Sequence, residues 1–291
     1  MPFAKSIKIF LMDGDPNGRC LCELSNWSGI AYKIPRIMIK QCNDRPELSN
    51  PGIYFLFGSD LAADMPLIYI GESEDIVSRL KQHIEEKDFW NEAIIFLSKD
   101  DHLNKAHIKY LENIFHEIAR KSARYKIVNN NIPKKSIISE SERAELEEFV
   151  YNAKIIVNIL GHKVFEELLV ARINKNENVN ANEIFYIKSK SKDISARGQY
   201  SSEGFVVYKG STISPSESKS IPAGARKLRL RLSSNGKIVD NKFIEDTLFS
   251  SPSAASDCIL GYNSSGPQNW NVTDIIKVPL FDGENSLGQG A

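Results

Sequence analysis

Gly52-Ile53-Tyr54-Phe55-Leu56-Phe57 and Leu67-Ile68-Tyr69-Ile70-Gly71 are the two stretches on which the fold turns. Both are apolar and aromatic runs bounded by Gly, Asp and Pro, the composition of half-buried or buried strands, and a short polar connection joins them. They read as paired neighbours. Ser73 follows as the start of a helix. Its hydroxyl can cap the unpaired amides of the first turn, and Asp75 adds negative charge there. Ile76, Leu80 and Ile84 then recur on one helical face. Trp90 to Leu97, through Ala93-Ile94-Ile95-Phe96-Leu97, reads as a third strand. A second helix runs from about Leu103 to Lys121, with Ile108, Leu111, Ile114, Phe115 and Ile118 as its buried stripe.

Outward from this block the signals thin. Upstream, Ile7, Ile9 and Leu11 stand at alternating positions in Lys5 to Met12, and Cys20 to Leu24 reads as the returning arm of a hairpin. The loop between them, Asp13-Gly14-Asp15-Pro16-Asn17-Gly18, could hold a cation on its two carboxylates. The plainer reading is a turn, because Asp and Asn satisfy turn backbones locally. Downstream, Ser139-x-x-Glu142 has the spacing of a capping box and opens a long helix, roughly Glu140 to Arg172, with Gly161 as a potential break. The Asn-rich segment Asn174 to Asn182 reads as a linker. Beyond it, Ile184 to Lys188 and the Gly204–Ser211 region read as strands. Lys227 to Leu232 fits helix or strand by pattern. Ser250 to Ser256 resembles a helix start with Pro252 in its first turn.

Length and charge set outer bounds. The 291 residues are long for one average domain and suggest about two. Basic and acidic residues number 37 each, which argues against a uniformly basic nucleic-acid binder but leaves room for a local basic cleft. No apolar run approaches the roughly 18 residues of a membrane helix, and Met1 to Ile9 has no apolar core of the secretory type. Cys20, Cys22, Cys42 and Cys258 do not form a zinc-knuckle pattern and are expected to be free thiols in a reducing cytoplasm.

Phosphodiester hydrolysis needs a positioned nucleophile, stabilisation of charge on the non-bridging oxygens, and neutralisation of the leaving oxygen. A carboxylate holding a cation, an arginine, and a tyrosine or histidine can supply all three. Tyr54 and Tyr69 lie on the two adjacent strands. Arg79 and His83 share one face of the first helix, one turn apart. Glu112 lies midway along the second helix, beside its apolar stripe. Taken singly, each has an ordinary alternative. The tyrosines could be strand aromatics, Arg79 a solvated charge, His83 a surface residue, and Glu112 an exposed helix carboxylate.

As an ordered set these residues resemble the GIY-YIG nuclease family. Gly52-Ile53-Tyr54 and Tyr69-Ile70-Gly71 match its two tripeptides. Gly71 to His83 resembles its turn and arginine-bearing helix, and Tyr110-Leu111-Glu112 its glutamate segment. Asn129 is similar to the family's late asparagine, with Asn130 and Asn131 as competing registers. The resemblance covers about 80 residues and implies an α+β fold, a mostly antiparallel three-stranded sheet flanked by helices. It implies that Glu112 holds a divalent metal, Mg²⁺ or alternatively Mn²⁺, whose preference for hard oxygen ligands suits a carboxylate. Tyr54 would act as general base or position the attacking water, and Tyr69 would orient the nucleophile or phosphate. Arg79 would bind the scissile phosphate, with Lys81 and Asn129 beside it on the nucleic acid. His83 would relay a proton or contact backbone phosphate.

The C-terminal part also resembles a described family. Gly204-Phe205-Val206-Val207, Gly210-Ser211, Phe249-Ser250-Ser251-Pro252-Ser253-Ala254-Ala255 and Trp270 are similar to a domain of unknown function, DUF4357, often attached to GIY-YIG and restriction-associated proteins. That implies no chemistry, but suggests a DNA-binding or target-reading module. Arg226, Lys227, Arg229 and Arg231 could contact phosphates there, or form a solvated basic face. Trp270 could stack on a base or, more simply, pack in the core.

The expected organisation is a β-rich extension over 1–50, a nuclease domain over 51–135, a long helix and linker over 136–180, and an α+β accessory domain over 181–291. The expected activity is metal-dependent cleavage of DNA, with RNA as the other polymer to test, in restriction or phage defence. The alternative is an inactive nucleic-acid-binding or assembly protein that keeps the nuclease fold. Charge should then segregate, with a basic groove near Arg79 and Lys81 and an acidic surface along Glu140 to Glu148.

Overall fold

The computed structural model describes residues 4–60, 65–100, 102–167, 183–189, 193–201 and 203–272. The chain divides into two compact units, Met1–Glu167 and Leu168–Ala291.

The first unit is organised by one seven-stranded sheet in the order β1-β2-β3-β6-β4-β5-β7. Its strands are β1 (Ile7–Leu11), β2 (Cys20–Leu24), β3 (Gly29–Pro35), β4 (Gly52–Asp60), β5 (Met65–Ser73), β6 (Trp90–Ser98) and β7 (Lys126–Ile127). All neighbours are antiparallel except β5 and β7, which run parallel. A three-stranded sheet, as expected from sequence, is not what forms: β6, β4 and β5 are neighbours within one seven-stranded sheet. Seven cross-strand pairs from Gly29–Ser98 to Pro35–Glu92 make β3 the neighbour of β6 and carry the N-terminal hairpin into the same sheet. Pattern analysis recognises strands one by one, and the non-local pairing of β3 with β6 leaves no local mark.

Two cores form on the two faces of this sheet. On one face Ile53, Phe55, Ile68, Ile70, Ile94 and Phe96 pack against α2 (Lys105–Ser122) and α3 (Glu140–Ile159). Phe55 is its centre, ringed by Phe57, Phe96, Phe115 and Phe165 at centroid distances of 4.9–6.4 Å. On the other face Tyr54, Leu56 and Ile95 pack against α1 (Ile76–Glu86) and the short 3-10 turns Arg36–Asp44 and Pro46–Ser49. The period of two along β4 thus sends Tyr54 to the α1 face and Phe55 to the α2 face.

Local details correct several sequence expectations. The cap of α1 is Asp75, whose carboxylate accepts the Ser78 amide, while Ser73 Oγ braces Asp75 through its backbone. Only the residue directly ahead of the first turn has the extended geometry that aims an oxygen at those amides. The capping box at Ser139 and Glu142 is present, but α3 stops at Ile159, and Gly161 then adopts a φ of +101° that suits glycine. The expected linker Asn174–Asn182 lies outside the described residues. The Asp13–Gly18 loop is a turn whose Asp13 carboxylate is taken by Arg19 at 2.8 Å. All four cysteines are buried free thiols.

The second unit is α+β around a five-stranded sheet in the order β13-β10-β9-β8-β14. These strands are β8 (Phe185–Ser189), β9 (Ile194–Ser201), β10 (Gly204–Val207), β13 (Thr247–Phe249) and β14 (Asn271–Val272), and β11 (Ile238–Val239) pairs with β12 (Lys242–Phe243) apart from it. Helices α4 (Ala223–Ser234), α5 (Pro252–Leu260) and α6 (Gly266–Asn269) complete the unit. The ambiguous Lys227–Leu232 segment is helical. The start read at Ser250–Ser256 is confirmed, with Ser251 as the cap of α5. Phe205, Val207, Phe249, Cys258, Ile259 and Trp270 share the core. Among the described residues no helix is long and apolar enough to cross a membrane.

Candidate active site

The outer edge of β5 is where the chemistry collects. β7 pairs with Leu67 and Ile68, and among the described residues no strand lies beyond the Tyr69–Ser73 end of that edge. Asn129 takes over there. Its amide donates to Ile70 O at 2.7 Å and its carbonyl accepts Ile70 N–H at 3.0 Å, extending the ladder by one side chain. Of the three candidate asparagines, Asn129 holds this strand, while Asn130 and Asn131 are exposed.

Tyr54 and Tyr69 stand side by side on the α1 face, with ring centroids 6.3 Å apart and planes 23° apart. Gly71 makes this possible, because a Cβ at that position would collide with the Tyr54 phenol. The Tyr54 hydroxyl meets His83 Nε2 at 2.8 Å, and the His83 ring also lies edge-on to Tyr69 at 5.0 Å. Burial drives the Tyr54 phenol well above its ordinary value, and the neighbouring Tyr69 adds to the rise. Burial lowers His83 to about 4, helped by Arg79 and Lys87. Both groups are therefore neutral at physiological pH. His83 is fully buried and its Nδ1 makes no hydrogen bond, standing 3.8 Å from Glu86. A surface role for His83 is excluded.

The Arg79 charge opposes the rise of both tyrosine phenols, and its guanidinium donates to Gln82 Oε1 at 2.8 Å. Glu112 lies on α2, the helix that packs on the other face of the sheet, and Arg79 is among the charges that act on it. Burial raises the Glu112 carboxyl to about 7, with Glu72 adding to the rise and Lys105, Lys109 and Arg79 opposing it. Glu72 and Lys105 were not singled out by sequence. Lys105 Nζ bridges Glu72 at 3.0 Å and Glu74 at 3.3 Å, and both Glu72 and Lys105 act electrostatically on Glu112. Their position directly after the second tripeptide and at the start of α2 was the available signal.

Lys81 points elsewhere, its ammonium donating to Asn43 at 2.9 Å. Of the expected groups, Tyr54, Tyr69 and His83 are in direct ring contact, Arg79 lies one turn before His83 on α1, Glu112 lies on α2, and Lys81 is bound to Asn43. Along α3, Glu140, Glu145, Glu147 and Glu148 are exposed.

The donor chemistry at Glu112 fits a hard divalent cation. Glu112 and Glu72 offer only carboxylate oxygens, and their mutual repulsion is what an added cation would relieve. Among the described residues no group of three or more His, Cys, Asp and Glu is arranged to hold an ion.

In the second unit the four expected cations separate. Arg226, Lys227 and Arg231 are exposed on α4, with Arg226 paired to Glu217 at 3.1 Å. Arg229 is the correction. It is buried on the inward face of the helix, donates to Cys258 O at 2.5 Å and Ser214 O at 2.6 Å, and pairs with Glu217 at 3.1 Å, so it is closed to a phosphate. Trp270 is likewise core, packed on Phe205 at 4.6 Å with its indole N–H donating to Pro252 O at 3.0 Å.

The chain is thus an α+β protein whose first unit brings Tyr54, Tyr69 and His83 into contact between β4, β5 and α1. Residues 185–276, just under a third of the chain, match the family described as "Domain of unknown function (DUF4357)", and a DUF4357 domain is present there. Comparison with curated proteins and with solved structures returned no match.

Proposed function

We propose that the first unit is a divalent-metal-dependent endonuclease of the GIY-YIG type that hydrolyses phosphodiester bonds in DNA, acting in the cytoplasm in restriction or phage defence. The observation that supports this reading is the contact of Tyr54, Tyr69 and His83, with Arg79 on the same helix as His83 and with Glu112 on α2 raised by burial.

Each group has a role suited to its surroundings. Tyr54 takes the proton of the attacking water while its own hydroxyl proton passes to His83 Nε2, 2.8 Å away, the neutral imidazole accepting there in the tautomer that carries its hydrogen on Nδ1. Tyr69 orients the phosphate beside it. The Arg79 guanidinium, charged at any working pH, stabilises the charge that spreads over the non-bridging oxygens. Glu112 would hold Mg²⁺ or Mn²⁺, with Glu72 adjacent, and such an ion supplies Lewis-acid stabilisation of the phosphate and leaving oxygen when bound. The exposed cations Arg226, Lys227 and Arg231 of the second unit would add backbone phosphate contacts.

The reading is tested by incubating plasmid, single-stranded DNA and RNA with wild type and Glu112→Ala, with Mg²⁺ or EDTA. Wild type should cut DNA only with the metal, and the variant should not. Absence of metal-dependent cleavage of all three polymers favours the alternative of a nucleic-acid-binding protein with an inactive nuclease fold.

A further inference from the structure

The two edges of the large sheet are finished differently. β7 is two residues long, carries Lys126, and gives way at once to Asn129. β1 at the opposite edge is Ile7-Lys8-Ile9-Phe10-Leu11, with no proline and a single charge, and among the described residues no strand lies beyond it. Ile9, Phe10 and Leu11 are 45%, 50% and 38% exposed. Natural edge strands are normally blunted by charge, proline, a bulge or shortness, and β1 has only Lys8.

The backbone says which residues are free to pair. Met12 N–H donates to Arg19 O, and Ser25 N–H donates to Ser6 O. Ser6 and Met12 therefore turn their polar groups towards β2. Alternation along the strand turns those of Ile7, Ile9 and Leu11 outward.

We propose that β1 is a homodimerisation edge that pairs antiparallel with β1 of a second copy about a two-fold axis at Ile9. In that register Ile9 faces Ile9, and Ile7 faces Leu11 on each side. All three outward-facing residues then exchange N–H and C=O bonds. Lys8 falls opposite Phe10 of the other copy, where its stem covers the exposed ring. Shifting the axis to Lys8 would set the two lysines directly opposite each other, which like-charge repulsion disfavours. The strand is thus complementary to itself in one register, which an isologous interface requires. Apolar side chains exposed on both faces of the edge, beyond Lys8, become covered.

Light scattering coupled to size exclusion, across loading concentrations up to about 100 µM, tests this. Wild type should shift towards the dimer mass as concentration rises. Ile9→Lys, which sets two cations at the axis, should remain monomeric while keeping the wild-type circular dichroism and melting temperature, since Ile9 is half exposed. Hydrogen exchange on the unmodified chain reads the register independently. The amides of Ile7, Ile9 and Leu11 should exchange more slowly at high than at low concentration, and those of Lys8 and Phe10 should not change. A wild type monomeric at about 100 µM overturns the proposal, as does a dimer that survives Ile9→Lys, or a dimer in which those three amides gain no protection.

Discussion

Arg79 and Arg229 each lie on a helix of their own unit, and each is at least partly shielded from solvent, yet their surroundings differ in kind. Arg229 is fully used. Two carbonyls and Glu217 occupy its guanidinium, and its aliphatic stem is walled in by the core of the second unit. Arg79 sits among groups that leave valence unspent: two tyrosines forced to stay neutral, a histidine with an unbonded Nδ1, and a glutamate lifted to about 7 by burial and a neighbouring carboxylate. A fully satisfied buried charge holds a fold together. Of the groups near Arg79 only Glu112 is pushed away from its ordinary protonation state at neutral pH, and a carboxyl raised in this way is a frequent mark of a working site.

The contrast can be broken by mutation. Tyr54→Phe removes the proton acceptor but keeps the ring, so the cleavage rate should fall by about 10²–10⁴-fold with the melting temperature almost unchanged. A variant that cleaves normally would return Tyr54 to the role of a packed aromatic. Arg229→Ala should do the reverse, destabilising the second unit by about 3–5 kcal/mol in thermal or denaturant unfolding, because it strands buried carbonyls and Glu217. An unchanged melt would show that Arg229 is not the pin described. Arg79→Ala should lower the cleavage rate by about 10²–10³-fold with little loss of stability. Equal loss of stability in Arg79→Ala and Arg229→Ala would erase the distinction between the two arginines.

The smallest effect concerns Glu112 in EDTA. Its folded value of about 7 lies above its ordinary 4.5, so the folded chain holds that proton more tightly than the unfolded chain. Its contribution is fully present below about pH 4.5 and is lost as pH rises through about 7. Glu112→Gln should therefore melt about 2–4 °C higher than wild type at pH 8, after allowance for solvent screening, and near the wild-type temperature at pH 4.5. A variant less stable than wild type at pH 8 would contradict the strained-carboxylate account.

Much of this was legible in the chain. Strands β4, β5 and β6 and helices α1 and α2 follow from apolar periodicity, and the Ser139 capping box from its spacing. The candidate site residues were proposed from the family resemblance, and the direct contact of Tyr54, Tyr69 and His83 is the part of that set the fold brings together. What was not legible depended on tertiary placement. The β3–β6 pairing is non-local, so the full sheet was missed. Arg226, Lys227, Arg229 and Arg231 look alike in sequence, and only the orientation of α4 separates the buried one from the exposed ones. The roles of Glu72 and Lys105 emerge only where β5 and α2 approach the same edge.

The central claim is that the β5 edge is a metal-dependent phosphodiesterase site, and cleavage of supercoiled plasmid by wild type and Glu112→Ala, each in Mg²⁺ and in EDTA, tests it most directly. The account predicts nicked or linear product from wild type in Mg²⁺ alone. Product from Glu112→Ala at the wild-type rate, or from wild type in EDTA, would contradict it.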